Sequence, residues 1–119
     1  MDSILTSVKK HVGGIYEECE DFDVDIIDHI NGVFVILWRM GVGPAKCFRI
    51  EDKNNTWDEF TQDIDYLEAV KTYIGQKVKL IFDPPNSSSL LQALKDSIAE
   101  FEWTLNFAAE TKTEAKEET

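Results

Sequence analysis

The stretch Asp23-Val24-Asp25-Ile26-Ile27-Asp28-His29-Ile30-Asn31-Gly32-Val33-Phe34-Val35-Ile36-Leu37-Trp38-Arg39-Met40-Gly41 decides the fold. Ile26, Ile27, Ile30, Val33, Phe34, Leu37 and Met40 recur at steps of three and four, the period that gathers side chains on one face of an α-helix. Asp23 stands where an N-cap carboxylate would accept the first free N–H groups, and Gly41 supplies an exit. The stripe is broad, and Trp38 adds a large apolar group beside it. Such a helix is expected at the centre of a bundle or at a subunit contact. Gly32 weakens it slightly.

Working outward toward the N-terminus, Ile15 to Asp21 loses periodicity and gains acid, which reads as a connecting loop. Before it, Ile4, Leu5, Val8 and Val12 predict a short helix over Ser3 to Val12, with Asp2 or Ser3 as N-cap and Gly13-Gly14 as the stop. On the other side, Gly41-Val42-Gly43-Pro44 cannot continue a helix. The weak alternation of Cys47-Phe48-Arg49-Ile50 leaves room in an irregular loop for one short strand or hairpin. Thr56-Trp57-Asp58-Glu59 has the capping-box spacing, so Trp57 to Thr61 is expected as one helical turn.

A third helix is predicted from about Ile64 to Phe82, with Leu67, Val70, Tyr73 or Ile74, Val78 and Ile81 toward the core. Asp83-Pro84-Pro85 stops it. Asn86 to Ser89 offers caps for a fourth helix whose Leu90 or Leu91, Leu94, Ile98, Phe101 and Leu105 alternate by three and four, reaching about Ala109. Glu110 to Thr119 has one apolar residue, Ala115, and reads as an acidic, mobile tail. The expected fold is thus all-α: a bundle of three main helices plus a short N-terminal helix over residues 1–109, then the tail 110–119.

The 119 residues allow one ordinary core, and the 43% hydrophobic share is that of a chain that folds. A formal net charge of -11 argues against a protein that grips nucleic acid, because that affinity comes from Lys and Arg replacing counterions at phosphates. The longest apolar run, Val33 to Trp38, is far shorter than the roughly 20 residues that span a bilayer, so no membrane role is expected. Lysines that follow rather than precede the first apolar residues are the reverse of a secretory signal, which points to a cytoplasmic origin. There, Cys19 and Cys47 are expected as free thiols.

Chemistry-bearing patterns are weak. Asp21, Asp23 and Asp25 have the first spacings of a calcium loop, but Ile26 and Gly32 stand where it needs Gly and Glu. Acids ahead of a helix are explained by its dipole. Asp25 and His29 share a helix face, yet His11, His29, Cys19 and Cys47 give no four-ligand metal spacing. Gly41-Val42-Gly43 lacks the remainder of a phosphate loop, and Ser87 to Ser89 are accounted for by helix capping. No catalytic residue, cofactor or metal is assigned, and the expected mode of action is protein binding.

Several blocks in order carry a resemblance: Asp2-Ser3-Ile4-Leu5; Phe22 to Asn31 leading to Gly41-Val42-Gly43-Pro44; Thr56-Trp57-Asp58-Glu59-Phe60; Leu67 to Ile74; Leu80 to Pro85; and Glu102-Trp103-Thr104-Leu105-Asn106. Together they resemble small bacteriophage and prophage head-tail connector proteins, the portal adaptors of head completion. The resemblance implies a virion structural protein, assembled in the bacterial cytoplasm, that forms a homo-oligomeric ring of about twelve copies. That ring would sit between the portal protein and a head-completion (stopper) or tail-terminator protein, with DNA passing through its lumen during ejection without specific binding. Surfaces of like charge do not trap phosphates, which suits the acidity. Aromatic residues are enriched at subunit contacts, so Trp38, Trp57, Phe60, Trp103, Asn106 and Phe107 are the interface candidates, with core packing an equal alternative for Trp38, Trp57 and Phe60. A competing reading is an acidic DNA mimic or regulatory inhibitor that occupies a host protein.

Overall fold

The computed structural model describes residues 3–61 and 64–117, and within them the chain forms an all-helical bundle without a strand. The elements are α1 (Ile4–Val12), α2 (Ile15–Glu18), α3 (Asp23–Arg39), α4 (Trp57–Phe60), α5 (Ile64–Phe82) and α6 (Ser88–Glu117). The three long helices and the N-terminal helix stand where the apolar periodicity places them.

The central position belongs to α5 rather than to α3. Helices α1, α3 and α6 all pack on α5, whose Val70, Tyr73, Ile74, Gly75 and Val78 are buried. The broad stripe of α3 divides between a core side (Ile26, Ile30, Val33, Phe34, Leu37) and solvent, which half-exposes Val35 and Trp38. A wide apolar stripe therefore measured apolar content, not enclosure.

Helix α1 is tied down at both ends. The Ser3 hydroxyl accepts the Thr6 N–H at 3.3 Å, whereas Asp2, the other expected cap, lies outside the described residues. The otherwise orphaned Ile4 N–H donates to the Asn55 carbonyl at 3.0 Å, and Ser3 and Thr56 form an isolated antiparallel bridge. At the other end Lys79 Nζ donates to the Val12 carbonyl at 3.5 Å. Between them α1 lies so close to α5 that a Cβ on Gly75 would strike the His11 ring.

Three local expectations are corrected. The segment from Ile15 contains the single turn α2, because Gly13 and Gly14, with φ of 76° and 61°, reverse the chain and restart it. Tyr16 then packs edge-on against Phe22 and Phe82. One turn is too short to show a period. Asp23 is the first residue of α3 and not its cap. Phe22 takes the cap position with no side-chain bond, while Asp23 Oδ1 lies 2.8 Å from Nζ of Lys9. That ammonium is held in the α1–α3 crease and also donates to the Cys19 carbonyl at 3.2 Å. The capping box at Thr56 is not closed: Thr56 makes no side-chain cap bond, and the Glu59 carboxylate accepts from Asn55 Nδ2 at 3.0 Å instead.

The segment from Gly41 to Asn55 contains no strand. Both backbone groups of Ile50 are taken by one side chain, Asn31 of α3, so none remains for a ladder. Phe34, Phe48 and Phe60 cluster with ring centroids 5.0–5.5 Å apart, fastening the loop and α4 over α3. Gly43 adopts φ 98°, and a Cβ there would fall 2.5 Å from the Phe60 ring.

Helix α5 keeps its predicted bounds, although Ile81 is 56% exposed. Helix α6 starts where the Ser87 hydroxyl accepts the Leu90 N–H at 3.4 Å. It passes the end expected near Ala109 and continues to Glu117. Thr111 to Glu117 holds Lys, Glu and Ala with no Gly or Pro, so propensity does not stop the helix. At about 1.5 Å per residue, 30 helical residues span about 45 Å.

Candidate protein-interaction surface

Helices α3 and α6 each pack along α5 and have at most marginal contact with one another, leaving the side of the bundle between them open. Helix α3 runs antiparallel to α5, as the His29–Phe82 ring contact shows. Helix α6 also runs antiparallel to α5: Tyr73 donates to Glu102 Oε2 at 2.8 Å, and Gln76 pairs with Ser97 at 3.0 and 3.2 Å.

The open side holds two clefts. One, of about 430 Å³, is lined by Ile36, Arg39, Met40, Glu102, Trp103 and Asn106. The other, of about 270 Å³, has Gly32, Val33, Ile36, Val78 and Ile81 as its apolar surface, with Asp28, His29 and Lys77 at its rim. Ile36 lines both, so the two clefts adjoin along α3, and together they are termed the groove. Past α3, an added Cβ on Gly41 would come within 3.6 Å of Ala109 Cβ of α6.

Burial divides the candidate interface residues. Trp57 and Phe60 lie in the core at 3% and 4% exposure. There Trp57 Nε1 donates to Ser7 Oγ at 3.0 Å and the Lys71 ammonium lies 5.7 Å from the Trp57 ring centroid. Trp103 and Phe107 are on the surface at 69% and 57% exposure, stacked with centroids 5.6 Å apart and planes 11° from parallel. Each is two residues from buried Leu105, about 200° around the helix, and so points away from the core. Exposed Asn106 and Trp103 line the groove wall. Trp38 is 46% exposed, with its indole N–H directed to the Ala45 carbonyl at 2.9 Å.

The groove-lining Ile36, Arg39, Met40, Glu102 and Lys77 are not among the interface candidates of the sequence, where Met40 counts only as part of the core stripe of α3 and Glu102 only within a resemblance block. The periodicity of α3 and α6 identifies core-facing positions but carries no sign that the two helices diverge. Tyr73 sits at the seam. Burial, then its hydrogen bond to Glu102 and the nearby carboxylate charge, push its phenol pKa well above the ordinary value, so Tyr73 stays a neutral donor that holds Glu102 at the groove edge.

Among the described residues no group of three or more His, Cys, Asp and Glu side chains is placed to hold a metal ion, and no helix is long and apolar enough to cross a membrane. Cys19 and Cys47 are free thiols. No curated protein and no solved structure matches the chain. A family model described as phage connector protein matches residues 4–112, a range that takes in α1 through most of α6 and every wall of the groove. That match makes the chain a member of the phage connector protein family, a structural component of the head–tail connection of the virion.

Proposed function

We propose that the chain is the repeating subunit of a ring, of about twelve copies, seated between the portal protein and the next head-completion or tail protein. The observation that carries this reading is the outward Trp103–Phe107 stack on a connector-family subunit. Two large aromatic side chains held away from the core leave apolar area that a protein contact would remove from water. Asn106, exposed beside Trp103 on the groove wall, extends this surface, and half-exposed Trp38 of α3 is a separate candidate contact. The proposed interface set is therefore Trp38, Trp103, Asn106 and Phe107; Trp57 and Phe60 belong to the core.

The subunit acts by assembly, without chemistry of its own. With a net charge of -11 per chain, an assembled ring repels the phosphates of DNA passing through its lumen and does not retain them. Residues 1–109 form the ring body in this reading. Residues 110–119, into which α6 continues as far as Glu117, form an acidic extension that reaches an adjoining neck protein in this reading.

The test is electron microscopy of particles from cells that express the chain together with the portal protein of the same genome. Rings stacked coaxially on the portal are expected. Portals left bare, under conditions where packaged particles mature, would refute the adaptor role.

A further inference from the structure

The geometry points to a head-to-tail contact in which the Trp103–Phe107 crest of α6 in one copy seats in the α3–α5–α6 groove of the next copy. This inference rests on the ring reading above and names its joint.

Three observations carry it. The groove lies between α3 and α6 with no residue of α1, the other helix packed on α5, among its lining, and such a groove accepts the apolar face of a helix. Its floor includes Gly32, which is exposed and has no atom within 4 Å of an added Cβ. The subunit's own packing therefore does not require glycine there, whereas close approach by a second helix does.

The crest and groove also complement one another in charge. Trp103 and Phe107 are flanked by exposed Glu100 and Glu110, whereas the groove presents Arg39 and Lys77. Among the described residues none of these four charged side chains has an ion-pair partner. Asp28 and Glu102 also line the groove, but Glu102 is engaged by the Tyr73 hydroxyl. Pairing between copies gives Glu100 and Glu110 cations that lack an ion-pair partner within the described residues, Lys77 meeting only the Tyr73 ring at 5.9 Å.

Apart from Trp103, which walls the groove as well as heading the crest, crest and groove are made of different residues of one chain, so the contact is heterologous. Such contacts close into rings when the rotation permits and otherwise propagate as filaments. A two-fold dimer, in which the same patch meets itself, is not the arrangement these surfaces favour.

The experiment uses zero-length carboxyl–amine cross-linking on a one-to-one mixture of isotopically light and heavy full-length chains. It is run on concentrated protein and on protein assembled with the portal, with intermolecular peptides identified by mass. Lys77 of one copy joined to Glu100 or Glu110 of another is expected. In parallel, Trp103→Ala/Phe107→Ala should weaken self-association at least tenfold while leaving the helical circular dichroism and unfolding midpoint near wild type. Arg39→Glu/Lys77→Glu and Glu100→Lys/Glu110→Lys chains should each fail to assemble alone and recover as a mixture.

Intermolecular links confined to other surfaces, with assembly indifferent to these substitutions, would overturn the joint and leave the ring standing. An absence of intermolecular links in both preparations would overturn the ring and the joint together.

Discussion

The side chain of Asn31 and the backbone of Ile50 form a closed two-bond pair: Nδ2 donates to the Ile50 carbonyl at 3.0 Å and Oδ1 accepts the Ile50 N–H at 2.8 Å. A helix side chain here does the work of a neighbouring strand, on a residue that is itself fully buried. Replacing Asn31 with Leu leaves both backbone groups unpaired, at about 1–3 kcal/mol each when a buried group loses its partner. Urea unfolding of Asn31→Leu is expected to show a loss of about 3 kcal/mol. A loss under about 0.5 kcal/mol would mean that water replaces the clamp.

Two glycine-to-alanine changes should have opposite signs. Gly43→Ala places a Cβ against the Phe60 ring at a φ of 98°, combining a collision with a left-handed backbone, and should cost about 2 kcal/mol or more. Gly32→Ala meets open space inside a helix and should stabilise the isolated subunit by about 0.8–1 kcal/mol through helix propensity. Thermal unfolding of the two variants beside the parent reads both signs at once.

Tyr73 makes stability depend on alkaline pH. Its folded-state pKa is raised above the ordinary 10.0, first by burial and then by Glu102, so above that value the unfolded chain releases a proton that the folded chain retains. Stability from this group is complete below about pH 10 and declines as pH rises beyond it. Urea midpoints for the parent between pH 9 and 11 should fall more steeply than those for Tyr73→Phe. At neutral pH the same substitution should cost about 1 kcal/mol for the lost bond to Glu102. Equal slopes in the two proteins would remove the linkage.

The Lys9–Asp23 pair should behave as a unit. The Lys9 side chain is 10% exposed and that of Asp23 is 23% exposed, so truncating Lys9 to Ala strands a partly buried carboxylate and should cost about 2–3 kcal/mol. The double change Lys9→Met/Asp23→Leu should recover most of that loss, because apolar replacements remove both desolvation costs. A double-mutant cycle from denaturant unfolding separates the pair's coupling from the packing of the lysine stem.

The sequence made the helices legible because each long one repeats its apolar residues at helical spacing over many turns. Val70, Tyr73, Ile74 and Val78 on α5, and Ile98 and Leu105 on α6, face the core as that spacing requires. Periodicity could not show which helix is surrounded: the hub position of α5 depends on Gly75 admitting the His11 ring, a contact between residues far apart in the chain. Nor could it separate core aromatics from surface ones. Trp57 and Trp103 both sit in acid-rich stretches, yet one is hydrogen-bonded inside the subunit and the other stacks on Phe107 outside. The groove was illegible for the same reason, since divergence of α3 from α6 is set by what α5 places between them.

The ties that hold α1 have a consequence for the order of folding. Its first N–H is bonded by Asn55, its Ser7 hydroxyl by Trp57, and its last carbonyl by Lys79, all supplied by chain that leaves the ribosome later. Helix α1 therefore waits for these partners, although Cys19 and Asp23 reach Lys9 sooner, and such long sequence separations slow a helical protein relative to one built from neighbouring hairpins. Until Lys79 is synthesised, Ile4, Leu5 and Val8 have no complete core to enter, and only with α6 packed on the closed α1–α5 pair does the subunit become a finished building block.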